Sequence, residues 1–291
     1  MPRTVLVTST TPACRHVVSK LLSSPDCPAI RVITRSAVGI QETFPPQLRS
    51  EPHSIILVED FRGPVFAAAF RGVSVVFHNG PVLLPSEETM AIATIDEARI
   101  ARVEHFVFCS VLQPIRVKLT THKVKLRLEE YLIESRLNYT ILQPPHYMQN
   151  VSIRHSLVTG KIPLGYSPNT SHGFIDLVDL ATVVRNIVMD PVQHRFARYE
   201  IVGQNISYND IASAISRISR RNVRCDVMTS QEFVEKMRTS EEVRNEYAED
   251  SLMRLLVYYD RWGLTGNTNV LRWLLGREPG TWEGYVRREL S

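Results

Sequence analysis

No Cys-x-x-Cys pair occurs in this sequence. Its four cysteines, Cys14, Cys27, Cys109 and Cys225, are scattered. That excludes a zinc ribbon or a dithiol motif and points to reduced thiols in a cytoplasmic protein. No apolar run approaches the roughly 18 residues of a membrane helix, and the opening MPRTVLVTSTTPACR turns polar too soon for a signal-peptide core. Repeats and low-complexity tracts are also absent. Excess charge is small, 34 basic against 30 acidic residues for a net of +4. The one basic cluster, Arg217, Arg220, Arg221 and Arg224, has no interleaved aromatics, so neither nucleic acid nor a membrane is an expected partner. Glycine is scarce, 13 in 291 residues, and none lies between positions 8 and 15.

The remaining composition, 44% hydrophobic and 22% charged, is that of an ordinary globular chain long enough for one large α/β domain with an appended lobe. Short apolar, β-branched runs at 4–8 (TVLVT), 29–34 (AIRVIT), 54–58, 73–77, 105–109 (HFVFC), 139–142 (YTIL) and 199–202 predict strands. Helical patterns separate them. One starts after residue 12, one runs over 87–102 behind Ser86 as N-cap, and one covers 121–135. Continuously apolar strands alternating with helices predict a doubly wound parallel sheet covered on both faces. The proline-rich stretch 44–52 reads as a loop. Beyond Gly203 the pattern becomes helical and strand-poor, with helices predicted over 208–218, 230–245, 250–259, 268–275 and 282–290. Residues 1–205 are therefore expected to form a Rossmann-like domain, and 206–291 a smaller helical lobe covering the substrate.

Several stretches together resemble the NmrA-like family of atypical short-chain dehydrogenases/reductases. VLVTSTTPACRHVV is similar to that family's VLVTGATGxxGxxVV, and RVITRS to its second strand. VEHFVFCSV resembles VKHFVYSSV, and KLRLEEYLIESRLNYTILQPPHYMQN resembles KxxxExyLxxSGLxYTILRPxxFMxN. GFIDLVDLA is similar to FIDVxDIA, and YYDRWGLTGNTNVLRWLLGREPGTWEGYVRREL to the family's C-terminal ending. The resemblance implies an NADP(H) site through Thr8, Ser9, Thr11, Arg35 and Asp60, with Arg35 facing the 2′-phosphate. Ser9, Pro12 and Arg15 occupy the three glycine positions. Pro12 has no N–H, Ser9 brings a Cβ to a place where positive φ can be required, and Arg15 brings bulk to a helix that should press on the strand. The expectation is therefore that no cofactor is required and that NADP(H) binding, though possible, is weak. Gln143 replaces the family arginine before Pro144.

Candidate chemistry gathers at the strand ends. On the helix over 121–135, Val124, Leu128, Tyr131 and Leu132 form a core stripe. His122, Lys125 and Glu129 lie beside it, at its border with the cleft. A lysine there loses hydration and becomes an acid/base candidate, whereas a Lys125–Glu129 pair would be an ordinary surface feature. The resemblance makes Lys125 a proton donor or substrate anchor. Position 121, four before Lys125, is threonine, so the Tyr-x-x-x-Lys pair of ordinary short-chain dehydrogenases is absent. The catalytic candidates are thus Lys125, Tyr147, His122 and Ser110. The substrate-binding candidates are His78, Asn79, His146 and Tyr259. Phe233, Met237, Leu252, Leu255, Leu256, Tyr258 and Trp262 are available to make the lobe's side of the cleft apolar. No metal set is expected.

These features predict an enzyme for a small hydrophobic substrate, of the polyketide type that the resemblance suggests. The favoured chemistry is redox-neutral: proton transfer, ring closure or isomerisation. The alternatives are an NADPH-dependent oxidoreductase and a non-catalytic regulator. If Lys125 is the acid/base, Lys125→Met should abolish turnover with little effect on melting.

Overall fold

The structure, a computed structural model, describes residues 3–35, 44–239, 243 and 245–291. Strands β1 (Thr4–Val7), β2 (Ala29–Thr34), β3 (Ser54–Leu57), β4 (Val75–His78), β5 (His105–Cys109), β6 (Tyr139–Gln143) and β10 (Ala197–Glu200) form one seven-stranded sheet. Its order is β10-β6-β5-β4-β1-β2-β3, and every pairing is parallel. This is the doubly wound architecture that the seven apolar runs predict.

Alternation along each strand feeds two cores. Val5, Val7, Val75 and Phe77 face one layer, built with α1 (Pro12–Leu22), α6 (Leu177–Met189) and α10 (Asn269–Leu275). Leu6, Val76, Phe106 and Phe108 face the other, built with α2 (Pro64–Ala68), α3 (Glu87–Ile100) and α4 (Thr120–Glu134). Burial on both faces explains why these strands read as unbroken apolar runs. Ser86 does precede α3, but its side chain makes no capping bond. The stretch expected as a loop contains a 3₁₀ turn, Pro46–Arg49, which buries Leu48.

Pro144 and Pro145 stop β6, and the chain leaves the sheet. It forms β7 (His146–Tyr147), α5 (Ile153–Thr159), β8 (Lys161–Leu164), β9 (Ser171–Ile175) and α6 before returning as β10. It then adds β11 (Gln204–Ser207), α7 (Tyr208–Ser219), β12 (Arg224–Val227), α8 (Ser230–Thr239), α9 (Glu246–Trp262), α10 and α11 (Trp282–Leu290). The end is mostly helical, as expected, but it carries two short strands that the sequence did not show. β11 pairs with β9, which pairs with β7, and β12 pairs with β8. These two small sheets join residues before position 205 to residues after it. Segments such as QNIS and RCDV are too short and too polar to announce themselves as strands. The last helices clamp onto the start of α6. Arg288 pairs with Asp176 at 2.6 Å, and Arg277 pairs with Asp179 at 2.6 Å. Among the described residues, no helix is long and apolar enough to cross a membrane.

Candidate functional site

The strand order reverses between β1 and β4, and the carboxyl ends of the strands open there into a crevice, the usual ligand position in such sheets. A cavity of about 400 Å³ fills it, with Leu255 and Tyr259 of α9 on its outer side. A second cavity of about 240 Å³ lies over the ends of β1 and β2, and Thr11 lines both. The long helix α9 is held over this edge by several bonds. Arg116 donates to the Gly263 carbonyl at 2.6 Å, Gln113 donates to the Thr265 carbonyl at 2.8 Å, and His122 and Tyr259 are joined at 3.1 Å.

The glycine-free turn is stitched to β4 by side chains. Thr8 Oγ1 lies 2.8 Å from His78 Nδ1, Ser9 Oγ donates to the Asn79 carbonyl at 2.7 Å, and Asn79 Nδ2 donates to Thr11 Oγ1 at 2.9 Å. Two of the three expected objections to a dinucleotide do not arise. No residue of the turn has positive φ, so Ser9 is not strained. Arg15 is exposed, and it is Cys14, Val17 and Val18 that press on the sheet. Pro12 is the first residue of α1, a position where proline fits, but it does remove one donor. The amides of Thr10, Thr11 and Ala13 have no hydrogen-bond partner among the described residues, while that of Ser9 faces the Cys14 thiol. Beside them, Arg35 lines the smaller cavity with Phe61 and Met90. These groups fit the parts of NADP(H): Arg35 for a 2′-phosphate, the amides at the start of α1 for a pyrophosphate, and the larger cavity for a nicotinamide. Asp60 is corrected. Its exposed carboxylate accepts from the Arg62 amide at 2.8 Å and lines neither cavity, because that bond closes its own turn.

Seven of the eight candidates for catalysis or substrate binding line the larger cavity: Lys125, Tyr147, His122, Ser110, Asn79, His146 and Tyr259. The eighth, His78, sits behind it, stacked on Phe108 with ring centroids 5.9 Å apart. Burial, with Lys125 adding to it, depresses its pKa to about 3.

Neither expected surrounding of Lys125 is found. It is 3% exposed, and its partner is Glu87 of α3, itself 2% exposed, at 2.9 Å, not Glu129. Glu129 is also buried, receiving two hydrogen bonds from Gln143 Nε2 at 2.8 and 3.0 Å. The polar row of α4 thus lies deeper than Val124 and Tyr131 of its apolar stripe, which are only partly buried. Packing of α3 and the lobe against this face accounts for the difference.

His122 Nδ1 lies 3.0 Å from the Gln113 carbonyl, and burial lowers its pKa to about 4. A carbonyl only accepts, so the neutral ring carries its proton on Nδ1. Nε2 then accepts, and the Tyr259 hydroxyl donates to it. The Tyr147 hydroxyl lies 3.6 Å from Cys109 Sγ, and burial raises both groups, the thiol to about 11. His146 packs edge-on against His172 and Tyr259, with centroids 5.2 Å away in each case. Its buried Nε2 and both ring nitrogens of His172 are unpartnered among the described residues.

Sequence reasoning missed Glu87 and His172. Glu87 and Glu88 both stand in the first turn of α3, and only the packing of α3 on α4 distinguishes buried Glu87 from half-buried Glu88. Of the apolar lobe residues, Leu255 reaches the cavity, while Trp262 is exposed beneath Arg261. Among the described residues, no group of three or more His, Cys, Asp or Glu could hold a metal ion.

The sequence profile of the NmrA-like family matches residues 3–268. No curated protein matches the chain. Among solved structures, it is similar to the NADPH-dependent quinone oxidoreductase of Escherichia coli complexed with NADPH, at 17% identity and a TM-score of 0.80, covering 98% of this chain and 100% of that one. It is similar to the triphenylmethane reductase of Citrobacter sp. complexed with NADP(H), at 17% identity and a TM-score of 0.79, covering 98% and 99%. It is also similar to NmrA, a negative transcriptional regulator, in complex with NAD, at 15% identity and a TM-score of 0.78, covering 98% and 94%. At these identities the likeness establishes the fold. The expectation that no cofactor is required finds no support in neighbours that hold NADPH, NADP(H) or NAD. With its profile matched over nearly its whole length, the chain belongs to the NmrA-like family.

Proposed function

We propose that the chain is an NADPH-binding reductase of flat, delocalised electrophiles such as quinones. The observation that carries this reading is the turn itself. It presents three unpartnered amides, those of Thr10, Thr11 and Ala13, between a cavity lined by Arg35 and a cavity lined by aromatic and aliphatic side chains, and the two meet at Thr11. Arg35 would pair with the 2′-phosphate, and the amides of Thr10, Thr11 and Ala13 would hold the pyrophosphate. Asn79 and Ser110 would border the nicotinamide. When bound, the dinucleotide supplies a hydride.

The protein's part is to bind a flat ring against His146, Tyr259 and Leu255 and to exclude water from it. A quinone needs no positioned acid, because its reduced oxygen is an aromatic oxyanion that water can protonate. That agrees with the missing Tyr-x-x-x-Lys pair. The redox-neutral alternative needs a side chain poised to exchange protons, and three of the four catalytic candidates are engaged, leaving only Ser110, a hydroxyl and by itself a weak base. Lys125 is ion-paired, both nitrogens of His122 are bonded, and the Tyr147 hydroxyl faces a thiol.

The test is NADPH oxidation by purified full-length protein across a panel of naphthoquinones and triarylmethyl dyes. Protein-dependent oxidation with at least one acceptor is expected. NADPH binding without oxidation of any acceptor would favour a regulator, and isomerisation of a panel member without NADPH would restore the redox-neutral reading.

A further inference from the structure

The hydrogen-bonding sense of the larger cavity can be worked out group by group. Lys125 directs two of its three N–H donors at Glu87, 2.9 Å away, and the Cys109 carbonyl, 3.4 Å away. Asn79 gives an amide proton to Thr11. The Pro144 carbonyl already accepts from the Leu112 amide at 2.8 Å. His122 has its Nδ1 proton on the Gln113 carbonyl and its Nε2 lone pair on Tyr259. Tyr259 is therefore the end of a polarised chain that begins at a backbone carbonyl. Its single proton points at His122, and its oxygen keeps only lone pairs. Gln113 holds its carbonyl in place from a backbone position at φ +55°, and its side chain is tied to the Thr265 carbonyl, so the chain's origin is fixed on both sides.

Around Tyr259 the wall is mainly apolar, with Leu255, Leu264 and Pro145, and the ring of His146, whose Nε2 is unpartnered among the described residues, has its centroid 5.2 Å away. An acceptor set in such a wall discriminates sharply, because a ligand lacking a donor leaves it desolvated and unpaired. We propose that the cavity selects aromatic ligands carrying a hydroxyl, whose proton the Tyr259 oxygen accepts, and that His122 is the positioning residue that sets this polarity. The ring of such a ligand lies against His146, and its hydroxyl end is held under α9. The inference deepens the reductase reading by naming the substrate class, hydroxylated aryl electrophiles in preference to O-methylated ones.

The experiment uses three bicyclic probes, titrated calorimetrically into the full chain without NADPH so that no hydride transfer occurs: naphthol, its methyl ether, and tetralone, which only accepts hydrogen bonds. Wild type should bind naphthol about fivefold tighter than the ether or the ketone. Tyr259→Phe should weaken naphthol to the level of the ether and leave the ether unchanged. His122→Leu frees the tyrosine proton to donate, so tetralone should gain affinity and naphthol should lose its advantage over the ketone, which a merely structural role for His122 would not produce. If either variant fails to fold, the wild-type comparison decides alone. Equal affinities for naphthol and its ether, or no binding of either, overturns the proposal. Because no cofactor or turnover is involved, that failure is separate from failure of the reductase reading.

Discussion

Lys125 and Glu87 form an ion pair of 2.9 Å with both side chains withdrawn from water, joining α4 to α3 directly beneath the cavity. Removing one member of a buried pair strands the other charge, at a cost of about 3–5 kcal/mol. The expectation that Lys125→Met leaves melting unchanged is therefore reversed. Lys125→Met and Glu87→Gln should each lower urea-unfolding stability by several kcal/mol, and the double change Lys125→Met with Glu87→Leu should recover part of the loss. Additive losses in the double variant would contradict this account of the pair.

Glu129 receives a neutral amide from Gln143. Its nearest cation, Arg198, is 3.9 Å away and more than half exposed, and burial raises the carboxyl's pKa. Gln143→Arg would place a guanidinium against this carboxylate. We expect a gain of about 1–2 kcal/mol at neutral pH, since charge-assisted bonds replace neutral ones. Thermal unfolding checks it, and a lower melting temperature would mean that the added bulk outweighs the charge.

Five buried histidines are neutral in the fold. Burial holds His78 and His146 at about 3, and His105, His122 and His172 at about 4. In the unfolded chain each titrates near 6.5. Above that pH both states are neutral, and these groups give no pH dependence. As pH falls below 6.5, the unfolded chain takes up protons that the folded one refuses, so stability drops. The slope is on the order of 1 kcal/mol per histidine per pH unit until about pH 4. The raised carboxyl of Glu129 acts in the opposite sense, one group against five. The urea midpoint should be level above about pH 7 and fall steeply from 6.5 towards 4. A midpoint unchanged down to pH 5 would show that these rings are accessible to water.

The five inner strands of the central sheet were legible because burial on both faces writes them as apolar runs, whereas the edge strand β10 is half-exposed and lies at Ala197–Glu200, two residues before its expected place, and Pro144–Pro145 marks where the chain leaves. The small sheets of the lobe were not. The two residues of β7 and the four of β11 carry no period, and their pairing is set by distant contacts. At the site, residues at strand ends (Asn79, Ser110, His146, Tyr147) could be placed from topology alone. Burial of the polar row on α4 could not, because it depends on helices that the sequence does not show packing there. The same limit applies to the turn. Ser9 and Arg15 looked prohibitive by residue type, but backbone angle and side-chain direction, which decide the matter, are properties of the fold.

The central claim is that a turn without glycine still holds NADP(H) through backbone amides and Arg35. Calorimetric titration of NADPH into the full chain, with Arg35→Ala as its control, tests it most directly. The account predicts a dissociation constant of about 10 µM or tighter, weakened about tenfold by Arg35→Ala as a charge-assisted phosphate contact is lost. No binding heat up to about 1 mM NADPH, or equal affinity in the two proteins, would contradict it.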